Sequence, residues 1–544
     1  MTPPALRQAL TPAQAAALIP DGATVACAGF VGVGHAEAVS RAVEARFLAT
    51  GHPRELTLVY AAGQGDRASR GVNHYGHAGL LRRVIGGHWI SAPMLGALVQ
   101  ADAIEAWNLP QGVIAHLYRA IAGGKPGVVT RIGLHTFVDP LHGGGRLTPR
   151  TAASAIEPRV QRVTLGGEDQ LFYPSLPIHV ALIRATTADA LGNLSCEQEP
   201  FHHDLLAIAQ AAHNSGGIVI AQVKRIVPAG TLAPAVVRVP GILVDHLVIA
   251  DDPQDHSMTF GADYDAHYAA APASRPPRTP GLAGSAAPTL PLDLRKIIQR
   301  RALLALQAVP PRGGAARPVV NLGVGMPAGL GAVADEEGLG GFTLTVESGP
   351  VGGTPADGPA FGAALWPEAI TTHAEMFDFY DGGGLDISFL GLAEFTPEGH
   401  VNVSRFGSKV SGVGGFINIT QSTPRVVFMG TLTADGLQIN TGDGRLAIVQ
   451  EGRVPKLVPS VQHLSFNGPY VAGLGHQITY ITERAVFELR PAGLTLTEIA
   501  PGLDLQRDVL AVLGAPVRVA DDLKTMDARI FTDAPMFDGP LHKE

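Results

Sequence analysis

The 544-residue sequence has few cysteines, no run of basic residues and no long apolar segment. Its two cysteines, Cys27 and Cys196, are too few for a disulfide framework or a cysteine metal site, which favours a reducing compartment. Forty Lys and Arg against 48 Asp and Glu give a net charge of −8. Nucleic acids and anionic membranes are therefore poor candidate partners. No stretch approaches the roughly 18 apolar residues of a membrane span.

The N-terminal segment also lacks the features of an export signal. Arg7 is its only early charge, and Thr11 followed by Gln14 has the spacing of a capping box, which predicts a helix start. We therefore expect a soluble cytoplasmic protein.

Glycine, by contrast, is abundant. The chain has 66 glycines (66/544, about 12% against an average near 7%) and 46% hydrophobic residues. Because apolar segments recur throughout, this composition indicates tight turns and close backbone approaches. A chain of this length is expected to form more than one domain.

A proline-rich segment divides the sequence into two halves. Residues 271–291 contain six prolines and favour an extended linker. Asp293 follows and can cap a helix. The predicted domains are residues 1–270 and 292–544.

The two halves share one pattern of predicted elements. The offset between matching glycines falls from 291 residues (Gly32 to Gly323) to 207 (Gly192 to Gly399), so the first half carries an insertion of about 84 residues between about 64 and 150. The fold class predicted is α/β, with two similar domains, mostly parallel sheets and an internal duplication. Ligands of such sheets bind beyond the carboxyl ends of the strands. The matching segments are 23–39 with 318–333, 55–63 with 342–349, and 180–195 with 387–402.

One carboxylate stands at such a strand end. In TLTVESGPVGG (343–353) the alternation predicts a β-strand, and Glu347 lies at its carboxyl end, before a loop rich in glycine and proline. Its counterpart in the first half is Ala61. One interpretation is that only the second half kept a catalytic carboxylate, and the first half supplies part of the pocket. The other is that Glu347 is a solvated acid in a loop.

NLGVGMPAGLG (321–331) places Gly323 and Gly325 at a strand-to-helix turn, where free amides can face an anion. The same letters fit the loose dinucleotide pattern G-x-G-x-x-A, with Glu347 at the position of a ribose-binding acid. From the residues alone, a nucleotide site and a purely structural turn are about equally supported.

Two further segments suggest ligand contacts. Gln111 lies between Pro110 and Gly112 before an amphipathic helix, and its amide can donate to an oxyanion or simply cap the helix. In RFGSKVSGVGGFINITQS (405–422), glycines precede a predicted strand and allow close approach of a ligand. Lys409 can meet a phosphate, although such lysines are mostly solvated. The glycines are Gly412, Gly414 and Gly415.

Metal and serine chemistry have weaker support. The pairs His74/His77 and His202/His203 have no cysteine partners and no H-E-x-x-H helix, so we expect no metal site. Ser348 lacks the G-x-S-x-G elbow of many serine hydrolases.

Nine motifs in one order resemble those of the family I CoA-transferases, in the branch that fuses the α and β subunits (acetate, propionate or acyl-CoA:acetate/3-ketoacid CoA-transferases). The similarity spans almost the whole chain. The motifs are GFVGVGH, YAAGQGD, NHYGHAGLLRRVIGGHW, EAWNLPQGVIAHL, GLHTFVDP, VNLGVGMP, VESGPVGG, FDFYDGGGLDISFLG and GGFINITQ.

The resemblance implies that Glu347 is the catalytic nucleophile and that residues 1–270 and 292–544 correspond to the α and β subunits. It also implies a homo-oligomer, either a dimer or a tetramer. Two departures are Ala36, where relatives often have proline, and VESG in place of the SENG of the ketoacid-specific branch, which argues against strict succinyl/acetoacetyl specificity.

The implied reaction moves CoA from a short-chain acyl-CoA to a carboxylic acid such as acetate, through a glutamyl-CoA thioester. Gln111 and the amides near Gly414 and Gly415 are the candidate oxyanion donors. No metal or further cofactor is expected, because one thioester is exchanged for another. The alternatives are a nucleotide-dependent oxidoreductase and a non-catalytic metabolite sensor on the same fold.

Overall fold

The structure is a computed structural model that describes residues 8–154, 159–269, 290–313 and 315–537. These residues form two compact units. The first comprises the described residues up to 274 together with 346–378 and 404–418, and the second comprises those of 275–345, 379–403 and 419–544. Most of the predicted linker, residues 271–289, lies outside the described residues, so the predicted domain boundaries stay a prediction.

Two α-helices of the described residues begin at the caps that the sequence predicts. Thr11 forms the predicted capping box with Gln14, and the Asp293 side chain accepts from two backbone N–H groups at the start of its helix. The helices are α1 (Pro12–Ala17), α2 (Glu37–Thr50), α3 (Pro93–Gln100), α4 (Gln111–Ala122), α5 (Pro149–Ala153), α6 (Leu205–Asn214), α7 (Leu294–Gln307), α8 (Leu330–Glu336), α9 (His373–Asp381), α10 (Phe416–Ser422) and α11 (Gly468–Gly473).

The first unit contains a large sheet in the order β1-β10-β8-β6-β2-β3-β4-β5, with parallel pairing along the whole path. The short strand β7 pairs antiparallel with β6 and β9. The strands are β1 (Ala9–Leu10), β2 (Thr24–Cys27), β3 (Leu56–Tyr60), β4 (Leu81–Gly86), β5 (Glu105–Asn108), β6 (Val180–Asp189), β7 (Leu194–Ser195), β8 (Ile218–Val227), β9 (Val237–Val239) and β10 (His246–Ile249).

The second unit contains a sheet in the order β12-β11-β13-β14-β15-β16-β17-β18. Pairing is parallel from β12 to β15, antiparallel on both sides of β16, and parallel again between β17 and β18. The strands are β11 (Val319–Leu322), β12 (Thr343–Thr345), β13 (Ile387–Gly391), β14 (Arg425–Met429), β15 (Gln477–Ile481), β16 (Ala485–Arg490), β17 (Gly493–Ile499) and β18 (Arg518–Thr525).

The predicted duplication is confirmed by strand order. The series β3-β2-β6-β8-β10 of the first sheet has the same sequence order and direction as β12-β11-β13-β14-β15 of the second. Strands β4 and β5 extend the first sheet and come from the predicted insertion. Every residue of β6 is buried, as expected of a parallel strand covered on both faces.

The remaining strands are short and pair antiparallel. They are Gly127–Thr130, Gln161–Leu165 and Glu168–Pro174; Pro350–Val351 with Ala369–Ile370; Thr354–Pro355 with Ala364–Leu365; Glu394–Phe395 with Val401–Asn402; Arg405–Phe406 with Lys409–Val410; Thr433–Ala434 with Val454–Pro455; and Gln438–Gly442 with Arg445–Gln450.

One predicted element is wrong. The strand expected after Gly415 is helix α10. The segment FINITQS is short, apolar and rich in β-branched residues, and such a run cannot be told from a buried helix by periodicity alone. None of the helices in the described ranges is long and apolar enough to cross a membrane.

Candidate active site

The carboxyl ends of neighbouring parallel strands bring several polar residues to one edge of the first sheet. His88 follows β4 by two residues, Asn108 ends β5, and Gln111 begins α4. The Asn108 amide donates to the carbonyls of Gly86 and Gly87 at 2.9 and 2.6 Å. Asn108 thereby ties the end of β5 to the end of β4, and sequence reasoning missed this residue.

The glycine loop of residues 411–415 is hydrogen-bonded to this edge. The N–H of Gly414 donates to the Gly87 carbonyl at 2.7 Å, and the Gly414 carbonyl accepts from the Gln111 N–H at 2.9 Å. The N–H of Val413 donates to Asn108 Oδ1 at 3.0 Å. The structure therefore brings Gln111 and Gly414 together, but the N–H of Gly414 is already used by Gly87 and is not free to donate to an oxyanion.

Positive φ angles, and close packing at Gly412, explain why this loop needs glycine. Gly412 has a φ of +78°, and a Cβ there would lie 2.5 Å from Trp89 Cδ1. Gly414, with a φ of +54°, would place a Cβ 3.6 Å from Gln111 Oε1. Gly415 is buried directly before α10, and Lys409 is exposed on the short strand that precedes the loop.

Glu347 lies in a tight turn two residues after β12. The N–H of Gly349 donates to the Val346 carbonyl at 3.0 Å, and the N–H of Val346 donates to the Pro350 carbonyl at 3.0 Å. Glu347 is 9% exposed. The predicted placement at the carboxyl end of a strand is confirmed, and the solvated-acid interpretation does not fit this burial.

The glycines after Glu347 allow a second backbone segment to pack against the turn. A Cβ on Gly349 would lie 2.3 Å from the Thr371 carbonyl oxygen, and one on Gly353 would lie 2.3 Å from the Leu365 carbonyl oxygen. The Gly349 carbonyl accepts from the N–H and the hydroxyl of Thr371 at 3.0 and 3.1 Å. The glycine-rich sequence therefore fixes the turn that carries the carboxylate.

An aromatic cluster borders the same turn. The buried Ser348 hydroxyl donates to the Gly362 carbonyl at 2.5 Å, and a Cβ on Gly362 would meet the rings of Phe30 and Phe201. Phe30 also stacks on Phe361, with ring centroids 5.9 Å apart. Ser348 is thus a structural anchor, and the surroundings of the turn are apolar.

Two residues after Thr371, His373 contacts Gln111. His373 Nε2 lies 2.9 Å from Gln111 Nε2, and His373 Nδ1 lies 2.8 Å from Asp204 Oδ2. All three side chains are buried. The segment that carries Glu347 is therefore linked to Gln111 through Thr371 and His373. No motif in the sequence joined His373 or Asp204 to this site.

Burial keeps the imidazole rings of His88 and His203 neutral. It lowers the pKa of His88 to about 4, with a contribution from the charge of Arg67. Burial likewise lowers the pKa of His203 to about 3. Neither ring carries a charge at pH 7, so neither neutralises a substrate anion.

In the second unit, Gly323 and Gly325 lie in the predicted turn between β11 and α8. The Gly323 N–H donates to the Phe389 carbonyl at 2.8 Å, so this amide is already used. Gly325 has a φ of +86° and open space at its Cβ position. Their predicted role in binding stays a prediction.

The histidine pair His74/His77 has local carboxylate partners. His74 lies between Glu37 and Glu44, at 2.8 and 2.5 Å, and Glu44 also contacts His77 at 2.5 Å. Within the described ranges, no group of three or more His, Cys, Asp or Glu side chains could hold a metal ion.

Both cysteines are buried. Burial raises the pKa of Cys27 to about 12 and raises that of Cys196 further. Neither thiol is therefore a suitable nucleophile at neutral pH.

The chain is similar to several known CoA-transferases. A family model described as Coenzyme A transferase matches residues 9–250. The chain is 42% identical over 526 residues to caffeate CoA-transferase of Acetobacterium woodii, covering 96% of each protein. It is 41% identical over 533 residues to acetate CoA-transferase YdiF of Escherichia coli K12, covering 97% of this chain and 96% of that one.

Solved structures agree. The crystal structure of the acyl-CoA transferase YdiF from E. coli O157:H7, described as a thioester complex with CoA, matches with a TM-score of 0.89 at 38% identity and covers 98% of both chains. Together with the buried strand-end carboxylate and the duplicated parallel sheets, these matches show that the chain belongs to the coenzyme A transferase family.

Proposed function

We propose that this CoA-transferase moves CoA from an acyl-CoA to a short carboxylic acid such as acetate, through a CoA thioester on Glu347. The observation that carries the proposal is a buried carboxylate in a turn whose flanking residues are held by hydrogen bonds. An ionised glutamate carboxylate can attack a thioester carbonyl.

The first half-reaction has two steps. A Glu347 oxygen attacks the acyl carbon and the C–S bond breaks. This step releases CoA thiolate and forms a mixed anhydride between Glu347 and the acyl group. The thiolate then attacks the glutamyl carbonyl carbon, the anhydride C–O bond breaks, and the donor's carboxylate departs. Glu347 is left as a glutamyl-CoA thioester, and no proton has moved.

The second half-reaction reverses these steps with the acceptor. Its carboxylate attacks the glutamyl thioester and releases CoA thiolate, which then attacks the acceptor's acyl carbon. The new acyl-CoA leaves and Glu347 is regenerated. Kinetics should be ping-pong. The thioester complex described for YdiF supports a covalent intermediate of this kind.

Each tetrahedral intermediate carries an oxyanion, for which we assign two donors. One is the amide of Gln111. The other is the N–H of Gly415, because the N–H of Gly414 already donates to Gly87. Such preorganised donors act strongly in a buried site. The predicted cofactor-binding roles of Gly323, Gly325 and Lys409 stay predictions, which substitution of each residue tests.

The relatives suggest two candidate acceptor acids, because one is an acetate CoA-transferase and the other a caffeate CoA-transferase. We propose a short aliphatic acceptor first, since VESG and the surrounding motifs resemble the acetate and propionate branch. We further propose a cytoplasmic homo-oligomer that needs no added metal or nucleotide. Family membership favours CoA transfer over the oxidoreductase and sensor alternatives.

The test is to trap the covalent adduct. Incubating the protein with acetyl-CoA or propionyl-CoA and no acceptor should raise the intact mass by CoA less one water, and peptide mapping should place the adduct on Glu347. Glu347→Gln should lose both the adduct and the exchange of CoA onto acetate, because a neutral amide is a poor nucleophile.

Glu368, an exposed acid in the same segment, supplies a matched control, and Glu368→Gln should keep both properties. An adduct mapped to Ser348 or Cys27, or full exchange by Glu347→Gln, would refute the proposal. Exchange of caffeate but not acetate would correct only the acceptor.

A further inference from the structure

Three buried side chains of the first unit form a chain of hydrogen bonds that leads to the proposed oxyanion donor. Asp204 contacts His373, and His373 contacts Gln111, with exposed fractions of 7, 3 and 3%. We propose that Asp204 and His373 are positioning residues that hold the Gln111 amide in its donating orientation. This inference rests on the proposed function.

The donors and acceptors fix the direction of each bond. A carboxylate oxygen accepts, so the hydrogen of His373 lies on Nδ1 and is donated to Asp204. The ring then offers a lone pair at Nε2, and the Gln111 amide nitrogen donates to it at 2.9 Å. One N–H of the amide is engaged in this way, and the direction of the other is set by the planar amide group.

Asp204 does not perform the task that its place in the helix suggests. It occupies the N-cap of α6, where Asp normally accepts from the first free N–H groups of the helix, yet it makes no side-chain capping bond. Its Oδ2 instead accepts from His373, and its Oδ1 has no hydrogen-bond partner in the described part of the chain. Helix stability therefore does not explain this aspartate.

The backbone around His373 is held in place. Thr372 and Glu375 form a capping box, with bonds of 2.9 and 3.3 Å, that starts α9 at His373. The His373 N–H donates to the His203 carbonyl at 3.5 Å. Gln111 is fixed through its own N–H to the glycine loop. The chain of hydrogen bonds thus joins the first turns of three helices, α6, α9 and α4.

Acid–base catalysis does not explain this pair. In serine hydrolases, a His–Asp pair removes a proton from a hydroxyl. Here the group that faces Nε2 is an amide, and the transfer steps written above move no proton. Orientation of the amide is the task that remains.

The test is a double-mutant cycle between Asp204→Asn and Gln111→Ala. In Asp204→Asn, the new side-chain amide can donate to His373 Nδ1, so the ring hydrogen moves to Nε2. That hydrogen then faces the N–H of Gln111, and the Gln111 amide rotates so that its oxygen accepts instead. We expect kcat for CoA exchange to fall about 10- to 100-fold, part of the loss for a whole oxyanion donor, with KM for acyl-CoA changed less than about twofold. In the Gln111→Ala background, Asp204→Asn should have no further effect.

A second pair of variants gives an independent result should Asp204→Asn fail to fold. His373→Gln retains an oxygen that can accept from Gln111, so it should keep more activity than His373→Phe. The matched control is Asp265→Asn, at a surface pair whose Asp265 Oδ1 lies 2.7 Å from His267 Nδ1, and it should leave kcat unchanged in both backgrounds.

The outcomes separate this inference from the proposed function. Normal kcat in Asp204→Asn, or an equal loss with and without Gln111, overturns the positioning role while exchange by the wild type preserves the proposed function. Absence of both exchange and the Glu347 adduct in the wild type overturns both.

Discussion

Shortening the side chain at position 347 tests the geometry of the nucleophile, because Glu347→Asp keeps the charge and withdraws the carboxylate by one methylene. The backbone cannot move to compensate. Ser348 is bonded to the Gly362 carbonyl, and Gly349 accepts two hydrogen bonds from Thr371. The carboxylate should therefore retract by more than about 1 Å.

A misplacement of about 1 Å costs on the order of 10²-fold in rate, which is about 2.7 kcal/mol at 1.36 kcal/mol per tenfold. We expect kcat/KM of Glu347→Asp to fall by about 10²-fold, while the CoA adduct still forms, at a correspondingly lower rate. Rapid quenching followed by intact-mass measurement gives that rate directly.

The control is Glu368→Asp, the same shortening at the exposed acid of the segment, which should keep the wild-type rate. Adduct formation by Glu347→Asp within about threefold of the wild type would refute the reasoning, because it would mean that the turn is not rigid or that the carboxylate is not the nucleophile.

Two further predictions concern the first unit. Gln111→Ala should lower kcat by about 10²- to 10³-fold while the fold stays intact, and normal turnover in steady-state assays would remove Gln111 from the site. The second prediction concerns His74 and Glu37. Burial lowers the pKa of His74, but hydrogen bonds and charges from Glu37 and Glu44 outweigh burial and raise it above 6.5. Burial raises the pKa of Glu37, but the hydrogen bond from His74 helps to lower it below 4.5. The contribution of His74 to the free energy of unfolding is complete below pH 6.5 and is lost as pH rises through its pKa in the folded state. The contribution of Glu37 is complete above pH 4.5. Calorimetry should show Glu44→Gln lowering the unfolding temperature more at pH 6 than at pH 9, and an equal loss at both would contradict this.

Much of the fold follows from patterns within short stretches of chain. Apolar strands, glycine turns and capping residues such as Thr11 and Asp293 are local features, and they recur in both halves in the same order. The duplication and the insertion that adds β4 and β5 could therefore be predicted. The helix after Gly415 could not, since a short run such as FINITQS suits either conformation and its packing decides between them.

Some features of the candidate site could likewise be predicted from short stretches of sequence, and others could not. By itself, the sequence determined the position of Glu347, because a strand period that ends in an acid before glycine and proline is visible within eleven residues. It also singled out Gln111 and the glycines near 414. The order of the motifs was enough to indicate the family.

Only the tertiary structure decided which residues meet. Asp204 and His373 are 169 residues apart, and His373 and Gln111 are 262 apart. The Gly414 carbonyl reaches the Gln111 N–H because parallel strands end at one edge and the glycine loop packs there without side-chain bulk. Contacts of such separation depend on how whole elements pack, and no local period or cap in the sequence encodes them.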